Sequence, residues 1–439
     1  MAREKTILVT HREPFHQVER DGVMTTERSI GGLISALEPA MKDQHGVWIS
    51  GGKVTPTQLP YRWIPVSYPS ELYESFYHGF SNGVLWPLFH SMLGNKVQFH
   101  RSDWDAYVAV NQDFAKTTLT EAAANDFVFV HDYQLCLVPA MVRAQNKKAP
   151  RIGYFLHIPF PCYDLFRTLP WAKQILEGIL GADIIGFQTK NDAEHFSQCV
   201  RKMLGKKPAH VIVAPIGIDA ELIYRAIDQS SVQEKSQVIH HEVGSKKLII
   251  GVDRLDYTKG IYKRLSAFET FLQRYPEHVE QVAMIQVAVP SRGEIERYQH
   301  LREEIERLVG HINGLYARPG WTPITYMCRS LQFEELVALY LAGDIAMITP
   351  FRDGMNLVAK EYVAAHRKRP GILILSELAG AAEQLHEALM VNPYDVDGIA
   401  TTLKAALDMP EREQLQRMRI LNKVVAKRDV HHWLKQFRL

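Results

Sequence analysis

The 439-residue sequence predicts an α/β protein made of two doubly wound parallel-sheet domains. Three observations lead there. Short continuous apolar runs alternate with amphipathic helical patterns along the whole chain, which is how parallel strands covered on both faces read. The chain is longer than the ~250–300 residues that one hydrophobic core usually fills. A polar stretch at 226–244, carrying Gln229, Ser230, Ser231, Gln233, Glu234, Lys235 and Ser236, separates two such series. The boundary is set near it, giving domains 1–240 and 241–439, with the helical stretch at 411–437 able to return to the first. Two such sheets facing each other would leave a cleft at the carboxyl ends of their strands, where open α/β sheets bind ligands.

In the first series, strands are expected at 6–10, 47–50, 61–66, 126–131, 151–157, 184–187 and 210–213. Helical patterns at 103–124 and 191–204 lie between them. In the second, strands are expected at 247–252, 282–287, 324–327, 344–349 and 371–375, with helices at 292–308 and 333–342. Each is a short apolar run or a 3.6-residue apolar period bounded by turn residues.

Composition excludes several classes. With 46% hydrophobic and 23% charged residues the chain can bury a large core and is not a disordered one. A net charge of +2 gives no basis for a nucleic-acid or membrane partner. No apolar stretch reaches the ~20 residues that span a bilayer. The apolar run at 6–9 is too short for a signal-peptide core. A cytoplasmic protein is therefore expected. Cys136, Cys162, Cys199 and Cys328 lack zinc-site spacing and read as reduced thiols, so no metal site is expected from them. A homo-oligomer is left open.

Five polar clusters carry candidate chemistry, several of them just after expected strands. Gly31 and Gly32 precede a helical pattern at 34–41, and a glycine pair there lets backbone N–H groups approach an anion, although a plain tight turn fits equally. Asp132, in His131-Asp132-Tyr133, would hold sugar hydroxyls or cap the next helix. His157 precedes Ile158-Pro159-Phe160-Pro161, whose prolines would fix the chain and hold its imidazole rigidly. Arg254 and Lys259 flank a strand-to-helix turn, where two cations and a helix dipole suit a diphosphate. The alternative there is a local salt bridge to Asp253 or Asp256. Finally, Arg352-Asp353-Gly354-Met355-Asn356 leads into a helix carrying Glu361, which offers backbone N–H groups and two carboxylates for sugar and ribose hydroxyls.

Over nearly the whole chain these stretches, with Phe80-Ser81-Asn82-Gly83-Val84-Leu85-Trp86-Pro87 and Ser291-Arg292-Gly293-Glu294, resemble the trehalose-phosphate synthases. The resemblance implies the GT-B arrangement of two facing Rossmann-like domains. It implies a retaining transfer of glucose from a nucleotide-glucose to glucose 6-phosphate, giving α,α-trehalose 6-phosphate. UDP-glucose is the family default, with GDP- and ADP-glucose open. It makes His157, Arg254, Lys259 and Asp353 the catalytic set. Gly32, Arg254 and Lys259 would hold the donor diphosphate. Asp353 with the backbone of Gly354, Met355 and Asn356 would hold the transferred glucose, with Leu357 and Val358 in the same donor site. Glu361 would bind the ribose, and Ser330 and Leu331 the base. Arg12, Tyr77, Trp86, Asp132 and Arg292 match the acceptor contacts. The family transfers on one face, the leaving phosphate taking the acceptor's proton, and the resemblance implies no metal and no cofactor beyond the nucleotide sugar.

The match has a departure. Gly51 stands where the family has an aromatic residue, and His11-Arg12 replaces the commoner Asn-Arg. Glucosylglycerol-phosphate synthases, which use glycerol 3-phosphate, share both traits, so that acceptor stays open. A catalytically silent sugar-phosphate-binding regulator is a third reading, and a non-sugar acceptor a fourth.

Overall fold

The structure, a computed structural model, describes residues 5–20, 23–28, 37–38, 41, 46–52, 61–94, 97–145, 150–208, 210–244, 247–291 and 296–437. Its contacts divide the chain into two units, Met1–Ile216 with His432–Leu439, and Gly217–His431.

The first unit's strands are β1 (Thr6–Thr10), the pair β2 (Phe15–Arg20) and β3 (Val23–Arg28), β4 (Val47–Gly51), β5 (Arg62–Val66), β6 (Phe127–His131), β7 (Arg151–Phe155), β8 (Ile184–Phe187) and β9 (Val211–Val213). Seven of them form one parallel sheet in the order β5-β4-β1-β6-β7-β8-β9. β1, β4 and β6 are buried at every residue, the burial that continuous apolar runs imply. The chain winds outward from β1 to β5, then restarts at β6 and winds the other way. The reversal lies between β1 and β6.

The second unit carries β10 (Lys247–Arg254), β11 (Val282–Val289), β12 (Ile324–Met327), β13 (Ile345–Ile348), β14 (Ile372–Ser376) and β15 (Leu389–Val391). They form a parallel six-stranded sheet in the order β12-β11-β10-β13-β14-β15, with its reversal between β10 and β13. One face is covered by the helices Ile261–Arg274, Glu296–Tyr316 and Val396–Asp408, whose Phe268, Ile305 and Leu403 pack with Ile249, Met284 and Ile374 of the sheet.

Besides the short strand β15, which was not expected, three features differ from expectation. The first is the boundary. The polar stretch is no linker: it forms the helix Ser230–Glu242, which buries Val232 and Ser236 and turns most of its other polar residues outward. It packs on the helix Phe333–Ala342, and Lys235 Nζ lies 2.9 Å from Glu334. The boundary therefore falls between Ile216 and Gly217, ahead of that stretch. At the C-terminus the helix Glu411–Lys427 stays with the second unit, where Asn422 Nδ2 donates to the Val363 carbonyl over 2.9 Å. Only the residues from His432 onward join the first unit, with Trp433 and Phe437 against Phe129 and Phe155.

The second is the antiparallel pair β2–β3. Its strands are too polar to read as buried runs, and the Asp-Gly pair at 21–22 is the hairpin signal that gives them away. The third is a π-helical segment, Glu74–Leu85, between the short helices Ser70–Tyr73 and Trp86–Phe89. Twelve residues of this geometry are unusual, and its rare occurrences are often found at functional sites. Within it the Asn82 amide donates to the Tyr77 carbonyl over 2.9 Å, and Tyr133 O–H donates to Asn82 Oδ1 over 2.8 Å.

Candidate active site

In each unit the candidate residues flank the strand reversal, the crevice where ligands of doubly wound sheets bind. In the second unit Arg254 ends β10 and Lys259 closes the turn after it, while 349–356 leaves β13. The two loops are laced together. Phe351 N–H donates to the Thr258 carbonyl over 2.8 Å. Gly260 has φ +66°, and a Cβ there would sit 2.3 Å from the Thr349 carbonyl, so only glycine permits this approach.

Lys259 does not pair with Asp253 or Asp256. Its ammonium lies 2.5 Å from Asp353 Oδ2, which also accepts from Asn356 Nδ2 over 3.0 Å. Asp353 is thus more than a dipole-favoured acid at a helix start. Asn356 holds φ +75°, a conformation asparagine tolerates better than most residues, and its Oδ1 accepts Ala359 N–H to cap the helix Leu357–Ala365. The first-turn amides of that helix, Leu357 and Val358 among them, lack intrahelical acceptors, which is the arrangement that suits an anion. Gly354 and Met355 are buried, and the Met355 carbonyl accepts Ala381 N–H over 2.8 Å. Glu361, half-buried, accepts from Tyr340 O–H over 2.7 Å, and burial raises its pKa. Exposed Ser330 and buried Leu331 follow β12 on the same sheet end.

Arg264, which sequence reading passed over, organises this cluster. Its side chain has no exposure. It donates to Asp253 (2.5 Å), Gln286 Oε1 (3.1 Å), Thr349 Oγ1 (3.1 Å) and the Lys259 carbonyl (3.3 Å). The signal was present: in the helix Ile261–Arg274 the apolar face runs Ile261, Leu265, Phe268, and Arg264 lies on it. A charge on a buried face needs partners. Asp253 and Asp256 are consumed structurally, the first by Arg264 and the second by Thr258 and Tyr298.

In the first unit Arg12 follows β1, Asp132 follows β6 and His157 follows β7. Asp132 stands at the start of the 3₁₀ turn Tyr133–Leu135, but its side chain makes no capping bond. It has φ +72°, and its Oδ1 accepts the His157 backbone N–H over 3.3 Å. Burial, with the Arg12 charge adding to it, lowers the pKa of both His157 and His11 to about 3. Arg12 therefore faces two neutral imidazoles. Tyr77, in the π-helical segment, stacks on His11 at 5.0 Å, and Trp86 lies 5.6 Å from Tyr133. Gly32 and Arg292 lie outside the described residues.

The space an aromatic residue would need at position 51 is taken. A Cβ on Gly51 would sit 2.9 Å from the His11 carbonyl and 3.3 Å from Tyr68 Oη, and Tyr68 Oη is 2.9 Å from His11 Nε2. His11, Tyr68, Tyr73 and Tyr77 make the aromatic wall there. Gly51→Trp is therefore expected to lower stability by about 1–3 kcal/mol through overpacking. Thermal unfolding checks this, and an unshifted midpoint would contradict the packing described.

Neutral histidines make the fold sensitive to acid. Burial lowers His366 to about 4 and His131 well below the usual imidazole range. An unfolded chain protonates these rings near pH 6.5 and the folded one does not, so folding loses about 1.4 kcal/mol per pH unit per histidine as pH falls below 6.5. The loss continues to about pH 4 for His366 and about pH 3 for His11 and His157. The urea midpoint should drop steeply between pH 6.5 and 5. A flat profile there would mean that these rings are not neutral.

A doubly wound sheet with a cation and a helix N-terminus at its reversal, and a second such sheet with an arginine and imidazoles at its own, are features of a GT-B glycosyltransferase. The model of glycosyltransferase family 20 matches residues 4–438, and the chain belongs to that family. Among curated relatives, the trehalose-6-phosphate synthase of Mycobacterium avium (strain 104) is 39% identical over 464 residues, 98% of this chain and 94% of that one. Among solved structures, an α,α-trehalose-phosphate synthase (UDP-forming) from Burkholderia xenovorans in complex with glucose-6-phosphate gives a TM-score of 0.91 at 32% identity, covering 99% of this chain and 98% of that one. A trehalose-6-phosphate protein from E. coli bound with UDP-2-fluoro glucose gives 0.88 at 34% identity, with the same coverage.

Proposed function

We propose that this protein transfers glucose, with retention of configuration, from UDP-glucose to glucose 6-phosphate, giving α,α-trehalose 6-phosphate. The observation that carries this reading is the cluster of Lys259, Asp353 and Asn356 at the β10/β13 reversal, which joins a cation suited to phosphate, a carboxylate suited to sugar hydroxyls and a helix N-terminus. It occurs in a chain matched over 98% by trehalose-6-phosphate synthases.

In this mechanism Arg254, Lys259 and the amides at 357–358 stabilise the diphosphate as the bond to the anomeric carbon breaks. The acceptor hydroxyl attacks from the face the nucleotide leaves and passes its proton to the departing phosphate oxygen. Asp353 orients the glucose hydroxyls. The protein contributes positioning and charge stabilisation, without a covalent intermediate. With a pKa of about 3, His157 is no general base near neutral pH; it contributes a hydrogen bond. The cations supply the charge a metal would otherwise bring, so turnover should survive exhaustive chelation. The acceptor groups are Arg12, Tyr77, Trp86 and Asp132, joined by Arg292. The four cysteines, all free, suit a cytoplasmic enzyme.

The test is a matrix of UDP-, GDP- and ADP-glucose against glucose 6-phosphate and glycerol 3-phosphate, read by mass spectrometry. A disaccharide phosphate formed best from UDP-glucose is expected. Product from glycerol 3-phosphate alone would reassign the acceptor. Calorimetric binding with no product in any arm would replace catalysis with a sensing role.

A further inference from the structure

A second histidine lies beside His157. His131 ends β6 with its side chain fully buried. Its Nδ1 is 2.9 Å from His157 Nε2. Its other ring nitrogen, Nε2, is buried and has no hydrogen-bond partner. The ring is walled by Phe129, Phe155 and Trp433, with centroids 4.1, 6.4 and 6.2 Å away. Trp433 comes from the C-terminal return and lies 6.2 Å from the His157 ring as well.

A single proton can occupy the bond between the two rings. If His157 Nε2–H donated it, His131 would carry its own proton on Nε2, a buried N–H facing no acceptor. If His131 Nδ1–H donates, Nε2 keeps only a lone pair. Orphaned buried N–H groups are rarer than under-satisfied acceptors, because the donor forfeits a full hydrogen bond on burial. Charging His157 would add a cation beside Arg12, charging His131 would set one against His157, and burial holds both rings neutral. The backbone of His157 is clamped as well, its N–H by Asp132 Oδ1 and its carbonyl by Gln188 Nε2 (3.3 Å each).

We propose that His131 is a positioning residue: it donates Nδ1–H to His157 Nε2, fixes His157 as the Nδ1–H tautomer, and makes that ring a permanent hydrogen-bond donor to a ligand oxygen. The tautomer stands on the protein alone. Only the identity of the oxygen, a sugar hydroxyl or a phosphate oxygen, rests on the proposed glucosyl transfer.

Two measurements test this. Long-range proton–nitrogen NMR on the full chain, labelled with 15N-histidine and without ligand, should show His157 protonated at Nδ1 and bare at Nε2. A proton on His157 Nε2 overturns the proposal, whether or not the chain proves to be a transferase. The second compares His131→Asn, whose amide nitrogen can stand in for Nδ1, with His131→Phe, which keeps the shape and loses the donor. His131→Asn should retain the tautomer and most of kcat. His131→Phe should give a tautomer mixture and lose roughly 10-fold in kcat with little change in acceptor KM. Equal behaviour of the two variants would reduce His131 to a space-filler. Should His131→Phe fail to fold, the NMR of the parent protein decides. The expected tautomer in a chain that transfers no sugar would leave this inference standing and remove the proposed function.

Discussion

Lys259→Ala and Arg254→Ala are each expected to lower kcat by ~100-fold or more, the loss seen when one transition-state charge donor is removed. The diphosphate gains negative charge as the glycosyl bond breaks, so a fixed cation there acts on the transition state more than on the bound substrate. Lys259 is suited to this because it is nine-tenths buried and held 2.5 Å from Asp353, which leaves little reorganisation to be done during the reaction. Its removal has a second effect, since Asp353, the carboxylate proposed to meet the sugar, loses its ion pair and keeps the weaker hold of Asn356. Lys259→Ala should therefore raise the donor KM more than Arg254→Ala does. Lys259→Arg should not rescue fully, because a guanidinium cannot replace a compact ammonium beside one carboxylate oxygen. Steady-state kinetics with UDP-glucose and glucose 6-phosphate decide it. Near-normal turnover in both alanine variants would reject the donor site.

Arg264→Met should lower the stability of the second unit by about 3–5 kcal/mol, because it strands the buried Asp253 carboxylate without its partner. At the size of this unit such a loss corresponds to a fall of roughly 10 °C in unfolding midpoint. Burial already raises the pKa of Asp253 against the opposing pull of Arg264, so removing the arginine should push the carboxyl further toward its neutral form. Pairing Arg264→Met with Asp253→Leu removes both charges and should recover much of the loss, as replaced buried ion pairs often do. Turnover should fall in the single variant even well below its unfolding temperature, because Thr349 and the Lys259 carbonyl lose a shared anchor. Calorimetry and kinetics on both variants check this. An unshifted midpoint for Arg264→Met would mean that the network is not a buried, closed one.

Much of this protein is legible in its sequence because parallel strands buried on both faces must be apolar throughout. β1, β8 and β12 fall at the residues that pattern marks, and the other expected strands differ only at their ends. Arg254, Lys259 and Asp353 stood out as candidates for a related reason: in doubly wound sheets, polar residues soon after a strand lie where ligands bind, and Glu361 was marked by its place in the helix that follows. The hairpin β2–β3 and the helix Ser230–Glu242 were not recovered, since neither depends on an apolar run, and β15 was missed because its three apolar residues are too few to stand out. The π-helical segment has no periodicity that distinguishes it from an ordinary helix over so short a span.

The sequence alone determined the fold class, the family and the residue types that would meet a phosphate and a sugar, because those rest on local patterns of burial and charge along the strand ends. Which groups pair with which was decided only in three dimensions. Lys259 finds Asp353 across 94 residues, His131 finds His157, Tyr68 and His11 fill the space above Gly51, and Trp433 returns from the far end of the chain to wall the two histidines. Each partner is set by which strand ends the sheet order makes neighbours, and that order comes from packing two sets of parallel strands around their own reversals.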